Sequence, residues 1–288
     1  MKLCYQVATP DVARNENVTA YQGDLETSFS RLSQYGYDGV ELMTRDPDAL
    51  DWCALKLLAD KNKLSIELIC TGEVYGQAEL CFTAPEEKKR LEAIERVCRL
   101  IDYAHACDAK LINVGRVRGF YRPNISAAQT DEWAIEAFRY ISDYAAKKDI
   151  SVALENVTIM QTNFINRIEE AVNMVERVKR DNFRIMMDVF HMNIEEKNII
   201  ETIKRYISYN VYVHLADKNR RYPGQSGLDF LEIIGTFFDC GYNGPFSTEI
   251  YQYPDQDTAA RKTIEYLAPI FERVYGCKPR NIFCEKEI

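Results

Sequence analysis

Eight short apolar, β-branched runs recur along the chain, each followed by a polar loop and a stretch of helical spacing. The runs are KLCYQVA (2–8), GVELM (39–43), LSIELIC (64–70), KLINVG (110–115), SVALEN (151–156), RIMMDV (184–189), NVYVHLA (210–216) and PFSTEI (245–250). Among the helical stretches are 25–36, 85–109, 130–148, 168–178 and 228–241. The first of these closes on Gly36, a residue suited to a left-handed cap, and the second opens with Pro85. Strand signals alternating with helix signals indicate parallel βα units. Eight such units in 288 residues predict a (β/α)8 TIM barrel formed as a single domain over 1–288. A doubly wound open sheet is the competing arrangement, but no GxGxxG follows the first run. No low-complexity segment, Gly/Ser linker or break in composition marks a second domain.

Composition narrows the function. With 47% hydrophobic and 28% charged residues, the chain reads as a soluble globular protein. It has no run near the roughly 20 apolar residues a membrane helix requires, and MKLCYQVATPD lacks the apolar core of a signal peptide. A cytoplasmic protein with no membrane partner is the expectation. Nine cysteines are scattered without a CxxC pair, which suits reduced, mostly buried thiols in a reducing compartment. A net charge of −8 argues against nucleic acid as a partner, since its binders present a basic face.

The chemistry is carried by the ends of the later strands. In a TIM barrel, functional side chains sit where the strands end. Four consecutive apolar runs close on a polar residue: Glu155 in VALEN, Asp188 in IMMDVFH, His214 in VYVHLAD and Glu249 in FSTEI. Any one of them alone is explained as well by a salt bridge or a helix cap. Four converging on one barrel mouth need a neutralising partner, because buried charge is costly without one. Three carboxylates and an imidazole form a ligand set for one divalent cation: Mn2+, Mg2+, Co2+ or Zn2+. Of the other two histidines, His105 falls inside a helical stretch and reads as structural or surface. His191 is expected just past the strand end, in the loop before the next helix, as a substrate-contacting or supporting residue. Arg220 lies six residues beyond His214, in a loop punctuated by Pro223, Gly224 and Gly227, where its planar fork suits a substrate oxygen or carboxylate.

The order Glu, Asp-x-x-His, His, Glu on strands five to eight resembles the xylose isomerase-like barrels of sugar isomerases and epimerases. The segments TRDPDALDW, NFINRIEEA, DVFHMNIEE and HLADKNRRYPG are similar to the ketose 3-epimerases of the D-tagatose 3-epimerase type, and within them to epimerases acting on 5-keto-L-gluconate. The resemblance spans nearly the whole chain. It implies that Glu155, Asp188, His214 and Glu249 hold the metal, with Mn2+ the first expectation. It also implies that Glu155 and Glu249 are the catalytic acid/base pair, and that His191 and Arg220 contact substrate. One departure stands out: Gln161 occupies a position where these enzymes usually carry a substrate-contacting Glu, and Gln cannot act as a base. The implied activity is metal-dependent epimerisation or isomerisation of a ketose or keto sugar acid. A proton next to the carbonyl leaves from one face and returns on the other. The same enolate chemistry also serves a lyase or dehydratase, including one that cleaves C-glycosides, and Gln161 keeps that alternative open. A multi-metal endonuclease would need more ligand histidines and a basic face, and a non-catalytic sugar-binding protein would show no proton exchange. A small sugar is the expected partner, with a homo-oligomer, dimer or tetramer, left open.

Overall fold

The computed structural model describes residues 1–276. Its eight strands are β1 (Leu3–Ala8), β2 (Gly39–Met43), β3 (Ser65–Cys70), β4 (Leu111–Val114), β5 (Ser151–Glu155), β6 (Phe183–Asp188), β7 (Asn210–Leu215) and β8 (Phe246–Thr248). Neighbours pair in parallel, and β8 closes back on β1, with Leu3 opposite Phe246 and Tyr5 opposite Thr248. The open-sheet alternative is thereby excluded. Each predicted run became a strand, shifted by no more than a few residues at its ends.

The helices are α1 (Leu25–Tyr35), α2 (Trp52–Lys61), α3 (Gly72–Gly76), α4 (Glu87–Ala106), α5 (Ala127–Ala146), α6 (Ile168–Val178), α7 (Val189–Glu195), α8 (Ile199–Tyr206), α9 (Phe230–Asp239) and α10 (Gln256–Tyr275). Gly36 ends α1 as expected. Its φ of 101° lets its N–H reach the carbonyls of Leu32 and Ser33 without the steric cost a Cβ would bring. Pro85 lies two residues before α4 rather than inside its first turn, and Glu86 occupies the N-cap.

Alternation along the strands sorts the core. Successive side chains of a strand point to opposite faces, so in a closed barrel one set faces the lumen and the other the helices. Leu154, Met187 and Val213 join the large cluster that also contains Phe138, Ile168 and Phe230 from the helices. Ala153, Met186 and Tyr212 form a second, smaller cluster with Leu68, Cys70 and Met43, which fills the lumen. Two residues further along, on the same inward face, come Glu155, Asp188 and His214. The pleat that packs the lumen therefore also aims the site into it.

All nine cysteines were expected to be reduced. Cys4, Cys70, Cys81, Cys98 and Cys107 are free and buried, Cys240 is half-buried, and Cys53 is free and exposed. Cys277 and Cys284 lie outside the described residues. Among the described residues no helix is long and apolar enough to cross a membrane.

Candidate metal centre and active site

Glu155, Asp188, His214 and Glu249 converge at the C-terminal mouth of the barrel, each offering a ligand atom within 4.8 Å of the others. Strand pairing places Asp188 directly opposite His214, and His214 opposite Ser247, two residues before Glu249. The imidazole Nδ1 of His214 lies 3.3 Å from Glu155 Oε1, 3.5 Å from Asp188 Oδ2 and 3.4 Å from Glu249 Oε2. All four side chains are buried.

Two features of this cluster fit a cation. Asp188 Oδ2 and His214 Nδ1 are buried without a hydrogen-bond partner, a condition that native interiors rarely tolerate. The other ring nitrogen, His214 Nε2, lies 2.8 Å from Glu41 Oε2, and Gln6 Nε2 donates to Glu41 Oε1 at 2.7 Å. With its proton on Nε2, held by Glu41, the imidazole turns the Nδ1 lone pair toward the three carboxylates, the orientation a metal-ligating histidine requires. Three oxygen donors and one imidazole nitrogen suit a divalent ion of borderline to hard character. Glu41 and Gln6 were not singled out from the sequence. The signal was present in GVELM and LCYQVA, a polar residue in an otherwise apolar strand, as at the four later strands.

Charge in the cluster is divided unevenly. Burial pushes the Glu155 carboxyl up to about 6, against the pull of His214. Burial acts the same way on Glu249, but there Arg220 and His214 outweigh it and hold the carboxyl well below its usual range. Asp188 is likewise lowered despite burial, through His191, His214 and Arg220. The His214 imidazolium is favoured in spite of burial because Glu41 and the three carboxylates surround it.

The ligands are held from behind. Thr19 Oγ1 donates to Glu249 Oε1 at 3.0 Å, Asn113 Nδ2 to Glu155 Oε2 at 3.2 Å, and the Asp188 N–H to Asn156 Oδ1 at 3.1 Å. Gly115 follows β4 where a Cβ would come within 2.5 Å of Glu155 Oε2, so the backbone there leaves room for the carboxylate.

His191 does not stand in a loop. Asp188 Oδ1 accepts the His191 N–H at 3.0 Å and caps α7, so the residues after the strand turn at once into a helix that carries His191. The His191 Nδ1 accepts the Thr158 N–H at 3.3 Å, which leaves Nε2 as the protonated nitrogen, 3.7 Å from Asp188 Oδ2. Burial pushes this imidazole down to about 4, so it is a neutral hydrogen-bond donor near neutral pH. The same helix clamps the loop after β5: Glu195 Oε1 accepts from Thr158 Oγ1 and from the Ile159 N–H, both at 2.7 Å.

Arg220 is buried, with its Nη2 2.5 Å from Glu249 Oε2 and its guanidinium 4.9 Å above the Phe190 ring. Its φ of 54° places a non-glycine residue in the left-handed region, at a cost of about 1–3 kcal/mol. Gln161 is exposed on the loop after β5, its N–H donating to the Thr158 carbonyl, and no side-chain bond among the described residues ties it to the cluster. His105 lies exposed in α4, away from the mouth elements.

Known proteins share the fold and part of the sequence. Residues 29–270 match a family described as the xylose isomerase-like TIM barrel. A D-psicose 3-epimerase of Ruminiclostridium cellulolyticum is 29% identical over 229 residues, covering 78% of this chain and 77% of that one. An L-ribulose 3-epimerase of Methylomonas sp. is 25% identical over 274 residues, covering 86% and 93%. The crystal structure of a D-allulose 3-epimerase from Methylomonas sp. superposes with a TM-score of 0.79 at 20% identity, covering 94% of this chain and 98% of that chain.

Proposed function

We propose, for a chain that belongs to the xylose isomerase-like TIM barrel family and is an enzyme of the sugar epimerase and isomerase class, a divalent-metal-dependent epimerisation of a ketose or keto sugar acid. The observation that carries this reading is the placement of Glu155 and Glu249 at the ends of β5 and β8, both reaching one cation-sized cluster. Epimerisation beside a carbonyl needs two proton carriers on opposite faces of one carbon. Strands five and eight are three apart around the barrel, so carboxylates at their ends flank a substrate seated between them.

Glu155, Asp188, His214 and Glu249 would hold the cation, with Mn2+ as the proposed metal. When bound, it supplies Lewis-acid polarisation of a substrate carbonyl. The chain's own groups do the rest. Glu249, kept ionised by Arg220, takes a proton at a carboxylate oxygen, and Glu155 in its protonated form gives one to the other face. His191, fixed as an Nε2–H donor, and Arg220 orient substrate oxygens. Gln161 is proposed as a further polar contact from the exposed loop. The buried floor of Ala153, Met186 and Tyr212 keeps water from entering behind the site.

The test is incubation of the Mn2+-loaded protein with a panel of ketoses and keto sugar acids in D2O, followed by NMR. Deuterium entering one carbon beside the carbonyl, together with its epimer, is the expected result. Loss of a substituent instead would mark a lyase, and no exchange with any substrate would defeat the proposal.

A further inference from the structure

The loop after β7 is organised by a carboxylate that the proposed chemistry does not use. Asp217, buried two residues past the strand, accepts five backbone N–H groups of its own loop. Oδ2 receives those of Gly224, Gln225 and Ser226 at 2.8–2.9 Å. Oδ1 receives that of Lys218 at 2.9 Å and that of Leu228 at 3.4 Å. Its backbone joins the same knot, with its carbonyl accepting the Arg220 N–H at 2.8 Å and its N–H donating to the Arg221 carbonyl at 3.1 Å. Arg220 is thus gripped on both sides while in a backbone conformation that a free arginine rarely adopts. From there its guanidinium reaches Glu249, and its carbonyl accepts the Tyr251 N–H at 2.8 Å, tying the β7 loop to the end of β8.

We infer that Asp217 is a positioning residue. By gathering the amides of the loop onto one carboxylate, it holds Arg220 in its left-handed conformation and so sets the guanidinium against Glu249. An anion is needed for this, since a carboxylate has lone pairs enough for several converging N–H donors, whereas an amide would turn its own N–H2 on some of them. The inference rests on the reading of Glu249 as a proton carrier only for its consequence in turnover. The placement of Arg220 is a separate, directly measurable claim.

The experiment compares the full-length wild type, Asp217→Asn, Arg220→Ala and the double variant, all loaded with Mn2+ for turnover and with Mg2+ for NMR. The Arg220 side-chain N–H signals are assigned by their loss in Arg220→Ala. In Asp217→Asn they should broaden into exchange with water, while far- and near-UV circular dichroism stay those of the wild type. Turnover should fall by about 10²-fold, the scale of a misplacement near 1 Å. In the Arg220→Ala background the same substitution should cost no further turnover, because its effect passes through a residue already gone. Unchanged Arg220 signals in Asp217→Asn would overturn the inference, as would losses that simply multiply in the double variant. If no keto sugar is turned over even by the wild type, the proposed function fails and the NMR comparison still decides the role of Asp217. If Asp217→Asn does not fold, Asp217→Ser, which keeps a short acceptor, carries the same readouts. Failure of both to fold would make the carboxylate a determinant of folding alone and overturn the positioning role.

Discussion

At the scale of single residues, the site separates ligands from groups that tune them. Asp188 Oδ1 caps α7, while its buried Oδ2 has no hydrogen-bond partner and is the atom left to bind the proposed cation. Asp188→Ala should therefore abolish divalent-metal retention by elemental analysis, and unchanged metal content would remove it from the ligand set. Glu249→Gln keeps an oxygen donor but loses the basic site, so turnover should drop by at least about 10²–10⁴-fold with some metal still bound. Conversion near the wild-type rate in this variant would sink the two-carboxylate scheme. Arg220 was expected to act through substrate affinity. Its direct bond to Glu249 changes that expectation, and Arg220→Ala should now lower kcat as well as raise KM. A pure KM effect would place the guanidinium on substrate alone.

At the scale of elements, the loops behind the ligands matter as much as the strands that bear them. Gly115→Ala puts a methyl group where Glu155 Oε2 now sits, and the carboxylate, as the end of a flexible side chain, is the part that yields. The variant should fold with nearly unchanged Tm yet lose about 10²-fold in turnover. A large fall in Tm with normal specific activity would contradict this. The β7 loop predicts a pH effect. Burial would raise the Asp217 carboxyl, but the backbone N–H groups of Ser226, Lys218 and Leu228 outweigh it and hold the folded-state value below the ordinary 3.8. A carboxyl lowered on folding contributes stability that is fully present above its unfolded value and is lost as pH falls through the folded value. Asp217→Asn should accordingly cost stability at pH 7 and flatten the acid side of the stability curve below about pH 4. Parallel wild-type and variant curves down to pH 2 would show that the loop bonds do not depend on the charge.

At the scale of the whole molecule, the barrel gathers three carboxylates at one mouth, and the proposed cation would relieve their repulsion. Binding to the folded chain alone adds about 2.7 kcal/mol at a hundredfold excess over Kd, several degrees of Tm for a chain of this size. Mn2+ should raise Tm at pH 7.5 and a chelator should reverse it. The shift should shrink as pH drops below about 6, where Glu155 takes a proton and competes with the metal. A Tm indifferent to Mn2+ across that range would count against a metal centre. Much of this architecture was legible in the sequence because a parallel barrel strand is buried on both faces and reads as a short apolar run, so a carboxylate or imidazole at its end stands out. Glu155, Asp188, His214 and Glu249 were found that way, and strand pairing brought them together. Glu41, Asn113 and Thr19 lie within or near the earlier strands, and their partners are 42 to 230 residues away in the chain. No local pattern encodes such a distance: pairing of β4 with β5 brings Asn113 to Glu155, and closure of β8 onto β1 brings Thr19 and Glu41 round to Glu249 and His214. The helical seat of His191 and the hold of Asp217 on its loop have the same origin. Both depend on where a side-chain oxygen meets backbone N–H groups once the chain has turned, and periodicity carries no record of that.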